Sequence, residues 1–411
     1  VPRTATGGGI VGPFRERNFT LYFVGQTVSL TGTWFQTLAL SLVVLEATGS
    51  ARALSGVTIA QFLPMIVLSI PAGRLADRFA PRTVLMCTSL VSAAVVGILA
   101  LVVSATEPDL RAIYALVAVL GCAQAFERVT AQAIIFELAG PRELTTAVAL
   151  STITIGVSRS IGPGLAGVVF QVYGPVTGMV INSASFIVVF LSLVLIRPGR
   201  LYARTPATKT PGVAPPRLWA DRSIVTLLIV NVVIALLAMN FLVTLTTVVT
   251  IDFGADAAAV GAAHALNAVG GIIGGVVAAA LPHVSVRSPA MALTVFGGSV
   301  LLNAAAPTLT WFLLAAPLLG FGIGCYNGVL NAAAQASVPP ERIGRLMSLV
   351  NIGSYGMVPF GALLLGWIID LSSGRVALAV GGATALAAAA FVRWRLRRDP
   401  AVDDPAVAAD S

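Results

Sequence analysis

Glu127 and Arg128 stand side by side in "AFERVTAQA", within an apolar run that opens at Ala112, and Arg159 interrupts the next apolar run. One charge at the middle of a hydrocarbon layer costs roughly 2.5–3.5 kcal/mol on insertion scales, so a charge kept there needs a use. Two uses are open: a structural ion pair that pins neighbouring helices, or a carboxylate that takes up and releases a proton. Near a cation a carboxylate holds its charge; away from one, in a dry interior, the neutral acid is favoured. Consecutive helical residues point about 100° apart, so Glu127 and Arg128 are not expected to pair. At a rise of ~1.5 Å per residue, Glu127 and Arg159 on antiparallel helices differ in depth by roughly 6–8 Å, within reach of a long arginine. The expected pair is therefore Glu127–Arg159, with Arg128 directed elsewhere.

The elements that carry these charges follow from composition. Of 411 residues, 57% are hydrophobic and 10% charged, with a mean hydropathy of +0.92. Soluble chains carry about 25% charged residues. The apolar runs are long and lack the alternation of a barrel strand, so the fold class is an all-α polytopic membrane protein. Runs of about 20 apolar residues cross the layer, which places spans at 19–45, 53–75, 83–104, 112–135, 145–172 and 176–196, then at 223–250, 257–281, 289–306, 309–336, 343–369 and 376–396. The domains expected are an N-terminal segment 1–18, a six-helix bundle 19–196, a Pro-rich linker 197–222, a second bundle 223–396 and a tail 397–411. Segment 1–18 has no apolar core or cleavage site of a signal peptide, so the first span is expected to start insertion.

The net charge of +8 reads as topology. With the N-terminus inside, one face gathers Arg3, Arg15, Arg17, Arg74, Arg78, Arg82, Arg142, the basic linker, Arg287, Arg342, Arg345 and the arginines of the tail, and the other holds Arg52, Arg111 and Arg375. Positive residues concentrate on the cytoplasmic side, so both termini are expected in the cytoplasm and no nucleic-acid partner is expected. Arginine in place of lysine, with abundant Ala and Gly, hints at a GC-rich bacterial genome and so at a bacterial inner membrane. Cys87, Cys122 and Cys325 lie in apolar runs and read as small packing residues. His264 and His283 have no ligand-like spacing, so no metal and no cofactor are expected. Walker, HExxH and GxSxG motifs are absent from the sequence, against an enzyme.

The two bundles are related. Residues 120–144 laid over 319–343 at a shift of 199 match in their Leu-Gly opening, their Gln and Ala positions and Pro141 on Pro340. A shift of 205 sets Gly49, Gly56 and Arg82 on Gly254, Gly261 and Arg287. Glu127 and Arg128 then fall on Tyr326 and Asn327, so the second bundle keeps polarity there without charge. Repeated halves with a site at their interface mark secondary transporters.

"GRLADRFAPR" resembles the loop 2–3 signature of the major facilitator superfamily in Gly73, Asp77, Arg78 and Arg82. "FRERNFTLYFVGQTVSLTGTWFQTLAL", "LEATGSARALSG", "SRSIGPGLAG" and "INSASFIV" resemble the enterobactin-exporter-like family, which includes bacterial drug exporters. The resemblance implies twelve helices in two six-helix halves, no enzymatic activity, and a conformational latch at Gly73, Asp77, Arg78 and Arg82, with Gly73 permitting a close helix contact. It implies an antiporter-like bend at Gly162, Pro163 and Gly167, with Pro359 in the matching role in the second half. The sequence departs from the family at Val117, where many proton-driven exporters hold Arg, and at Thr33, Val129 and Ala131.

Mid-span polar and aromatic residues form the candidate substrate site: Gln26, Trp34, Gln36, Gln61, Asn240, Asn267, Tyr326, Asn327, Asn351 and Tyr355. They suit a bulky organic molecule, since a sugar or nucleotide asks for a denser polar lining. The expected function is proton-coupled export of a small organic compound such as an antibiotic or siderophore, by a monomer whose other partner is the bilayer. Import, lipid transport by the same fold and a non-transporting receptor or scaffold are the alternatives.

Overall fold

Hydroxyl-bearing residues recur along the first apolar helix at four-residue spacing, and each satisfies itself on the preceding turn. Thr27 donates to the carbonyl of Phe23 at 2.8 Å, Thr31 to Thr27 at 3.0 Å, Thr37 to Thr33 at 2.7 Å and Ser41 to Thr37 at 2.8 Å. An apolar solvent leaves polar groups no other cheap partner, so a helix of 32 residues accommodates them without a break. The same rule makes every apolar run in this chain a helix.

A computed structural model describes residues 12–105, 108–202, 222–281, 284–285, 287–338 and 340–396. Its helices are α1 (Arg17–Thr48), α2 (Ala51–Arg78), α3 (Pro81–Val103), α4 (Leu110–Pro141), α5 (Thr146–Tyr173), α6 (Pro175–Leu195), α7 (Arg222–Asp252), α8 (Ala257–Ala279), α9 (Ser288–Ala304), α10 (Leu309–Ala336), α11 (Pro340–Tyr355 continued by Val358–Leu371) and α12 (Gly374–Leu396). Eleven are long and apolar enough to cross a membrane, and α9, with 17 residues, is shorter. Expected segment 1–18 lies outside the described residues up to residue 11, the linker over 203–221 and the tail from 397 onward.

The chain clusters into two compact units, Val1–Gly49 with Gly56–Pro211, and Ser50–Ser55 with Gly212–Ser411. The first turn of α2 thus belongs with the second unit, a division the apolar pattern gives no sign of. Its cause is polar. The Asp370 carboxylate at the end of α11 accepts from Ser50 Oγ at 2.7 Å, the Ala51 amide at 2.7 Å, the Arg52 amide at 3.4 Å and Arg52 Nε at 2.6 Å. Arg52 also lies 5.1 Å from the centre of the Trp367 ring.

In the first unit, α1 packs on α6 through small and amide residues. Gly25 faces Ser192, Gly32 faces Ser185 and Asn182, and Asn182 donates to Gln36 Oε1 at 2.6 Å. Between α4 and α5 the backbone turns at Gly140, at φ 69° and ψ 174°, a conformation that residues with a Cβ do not tolerate. In the second unit α8 and α10 cross at glycines: Gly270 against the Pro317 carbonyl, Gly274 against that of Phe321, Gly320 against that of Asn267, and Gly324 against that of Gly271. The repeat survives in this packing, since Gly121, the counterpart of Gly320, lies against the Gln61 carbonyl of α2.

Three expectations change. α4 continues past 135 to the break at Gly140, so it takes in Glu137, which is buried where Glu127 is half-buried. α7 breaks between Leu237 and Phe241, where the Asn240 amide donates to the Ala235 carbonyl at 3.3 Å, and it finishes in a π-helical turn over Val248–Asp252. α11, expected as one span over 343–369, is interrupted between Tyr355 and Val358, in the turn before Pro359, where proline lacks the N–H that the Tyr355 carbonyl would accept. Of the three cysteines Cys325 is buried, Cys122 half-buried and Cys87 exposed.

Candidate functional site

α1 and α4 place the charges. Tyr22 and Gln26 are one helical turn apart on α1 and so share a face. Against that face lies Glu127 of α4, with the Gln26 side chain close to its carboxylate. Tyr22 is buried, and Glu127 is close enough for its charge to act on the Tyr22 phenol. Glu127 itself is half-buried.

The expected Glu127–Arg159 ion pair is not formed. Among the described residues the pair within salt-bridge distance is Arg52–Asp370, and the cation whose field reaches Glu127 is its chain neighbour Arg128. Side chains 100° apart cannot meet head-on, but adjacent Cα atoms keep two charges near each other whatever their direction. Arg128 and Arg159 are both exposed on the first unit. Tyr22 was not singled out in the sequence; its i, i+4 relation to Gln26 was the available signal.

The remaining candidates separate by role. Gly162 of α5 lies against the Trp34 side chain of α1, bringing together two residues proposed for different tasks, and Thr31 meets Ser158 at 3.2 Å on the same pair of helices. Pro163 and Gly167 are buried in α5. Gln36 is buried in its bond to Asn182, and Gln61 donates to Gln124 Oε1 at 3.1 Å, so both amides join helices. In the second unit Asn240 sits at the α7 break, Asn267 is buried with its amide nitrogen unpartnered, and Tyr326 is fully buried, stacked on Phe296 at 6.1 Å. Asn327 is half-buried, whereas Asn351 and Tyr355 are exposed. His264, on α8, meets Thr246 of α7 at 3.1 Å.

At the loop 2–3 signature, the Asp77 side chain lies outside the described residues, and Arg78 is exposed. Among the described residues, a Cβ added at Gly73 would meet nothing within 4 Å. Arg82 closes the end of α6, donating from Nε to the Leu193 carbonyl at 2.7 Å and from Nη2 to the Val194 carbonyl at 3.1 Å. A cation on the last carbonyls of a helix is favourable placement.

Two six-helix sets with this packing define a major facilitator transporter, and solved structures agree on the fold. A bacterial homologue of the human lysosomal transporter Spinster, inward-facing and occupied, superposes with a TM-score of 0.73 at 13% identity, over 94% of this chain and 98% of that one. A bacterial homologue of the iron transporter ferroportin, inward-facing, gives 0.71 at 16% identity, over 92% and 98%. The chain belongs to the transmembrane secretion effector family of that superfamily, whose model matches residues 9–409. It is similar to the staphyloferrin A transporter of Staphylococcus aureus, 32% identical over 43% of this chain and 45% of that protein. It is also similar to macrolide efflux protein A of Streptococcus pyogenes, 22% identical over 86% and 89%, and to the multidrug efflux pump Tap of Mycolicibacterium fortuitum, 25% identical over 82% and 86%. The family is one of membrane transporters, not enzymes.

Proposed function

We propose that this transporter exports a small organic molecule of the antibiotic or siderophore class across a bacterial inner membrane, by alternating access coupled to protons, with both termini cytoplasmic. The observation that carries the coupling is Glu127: a carboxylate in mid-span, close to Gln26 and Tyr22 of α1, with Arg128 next to it in the chain. Transport requires that a bound ion or substrate favour the two access states unequally. A carboxylate whose cation is set by the chain itself keeps that neighbour in every state, so the variable is its hydration and its contact with Gln26 on α1. Movement of α1 against α4 that withdraws Gln26 favours the neutral acid, and its return favours release. The export direction is supported by the two efflux proteins among the relatives, and a siderophore substrate by the third.

The test begins with drug susceptibility of a pump-deleted strain with and without the gene, using a macrolide and staphyloferrin A as first probes. Uptake of the responding compound into inverted vesicles is then driven by an imposed pH gradient. Glu127→Gln is expected to abolish the response to the gradient while leaving binding of the compound. Gradient-driven uptake unchanged in Glu127→Gln would overturn the proposed coupling.

A further inference from the structure

Arg159 is a mid-span charge that the coupling at Glu127 leaves without a task. It lies 13 residues from Thr146 and 14 from Tyr173, the ends of α5. At 1.5 Å per residue each end is about 20 Å away, too far for its guanidinium to snorkel to an interface. The side chain is exposed on the first unit, and among the described residues no carboxylate lies within salt-bridge distance of it. The carboxylates outside the described set, those of Asp77, Glu107, Asp221, Glu341 and the tail, stand in the sequence beyond the apolar runs. α5 has two exposed stripes. One is apolar throughout, with Ile153, Val157, Ile161, Val168 and Val172. Arg159 is on the other, with Thr152 and Ile155: at 100° per residue it points about 160° away from Val157 and Ile161 and about 180° away from Val168. A charge within a span faces protein or a water-filled cavity, not lipid, so the apolar stripe meets the bilayer and the Arg159 stripe meets water.

We propose that Arg159 binds the carboxylate of the transported compound, and that the substrates of this transporter are organic acids. A guanidinium presents a fork that a carboxylate matches with two hydrogen bonds, and an anion seated there supplies the partner that a mid-span cation otherwise lacks. The wall beside it suits the rest of such a molecule. Thr31 of α1 meets Ser158, the chain neighbour of Arg159, at 3.2 Å. One turn further along α5, Gly162 has no Cβ to strike Trp34, so the half-buried indole lies against it and offers a flat apolar surface. This site is separate from the carboxylate at Glu127. Glu127 is met by Tyr22 and Gln26, whereas Arg159 is level with Thr31 to Trp34, about 8 Å further along α1. Substrate anion and coupling proton thus have different groups to occupy. The inference rests on the reading of this chain as a transporter of small organic molecules, and not on the direction of transport or on Glu127.

Naphthoate and its uncharged amide, naphthamide, are probes of one shape that differ in charge. Their binding to the purified full chain in lipid nanodiscs is measured by equilibrium dialysis, with uptake by empty nanodiscs subtracted. Wild type is expected to bind the acid more tightly than the amide. Arg159→Gln should weaken the acid by about 10- to 100-fold, the range of a hydrogen bond to a charged group, and leave the amide unchanged. Arg159→Lys keeps the charge without the fork and should fall between; it carries the test where the Gln variant fails to fold. Glu127→Gln should keep the preference for the acid, so the failure of the coupling proposal and the failure of this one are separate results. Equal binding of acid and amide, no saturable binding of either, acid binding undiminished in Arg159→Gln, or loss of the preference in Arg128→Gln instead, each overturns the proposal.

Discussion

The glycine crossing of α8 and α10 gives the sharpest stability prediction, because the two helices carry their own control. At Gly320 a Cβ would collide with the Asn267 carbonyl and crowd the Gly271 amide, both backbone atoms that cannot rotate away. At Gly275, on α8, a Cβ would meet nothing within 4 Å. Both glycines are interior helical positions, so replacement by alanine gains the same intrinsic preference, about 1 kcal/mol, in each. That gain cancels in the difference between Gly320→Ala and Gly275→Ala and leaves the overpacking cost, about 1–3 kcal/mol. For a cooperative unit near 200 residues, about 2–4 °C of Tm corresponds to each kcal/mol. Gly320→Ala should therefore melt about 2–12 °C below Gly275→Ala, with Gly275→Ala at or above wild type. Thermal unfolding of detergent-solubilised protein, followed by tryptophan fluorescence at one fixed scan rate, measures the gap. Equal midpoints for the two variants would refute the claim that backbone contact at Gly320 sets the helix separation.

Two further outcomes follow from polar and backbone geometry. Asp370→Asn, which takes away the charge that four donors share, should cost about 2 kcal/mol, whereas Arg52→Gln should cost less than about 1 kcal/mol because Arg52 is 50% exposed and Asp370 11%; a larger loss from Arg52→Gln in the same melting assay would show that the ion pair, and not the closure of the α2 first turn, holds these residues together. Gly140→Ala meets both a positive φ and the Tyr202 ring, so a loss of about 1–3 kcal/mol is expected, read as a lower melting midpoint and a smaller folded fraction on size exclusion, and an unchanged midpoint would mean that the α4–α5 turn relaxes freely.

The parts of this molecule that a sequence discloses are those fixed by solvent. In hydrocarbon every backbone group is satisfied within its own helix, so apolar length alone gives eleven of the helices and nearly all of α9. Contacts made to backbone carbonyls are invisible in the same text, since every residue has one. Arg82 could be placed in a signature, yet its partners are the carbonyls of Leu193 and Val194. The break in α7 falls at Ala238–Asn240, with neither Pro nor Gly to announce it, and is held by one amide on the Ala235 carbonyl. Glu127 was visible because a carboxylate in an apolar run is costly; its partner was not, because offset in depth says nothing of which helix faces it. The contact with Gln26 puts that uncertainty to use. Under the proposed coupling, a cation one residue away cannot leave Glu127 during a conformational change whereas an amide on α1 can, which would put the control of protonation in the packing of α1 on α4 and not in an arginine on α5. Gln26→Leu should then shift the pH dependence of transport while Arg159→Gln leaves it in place, and the reverse result would restore the arginine to that role.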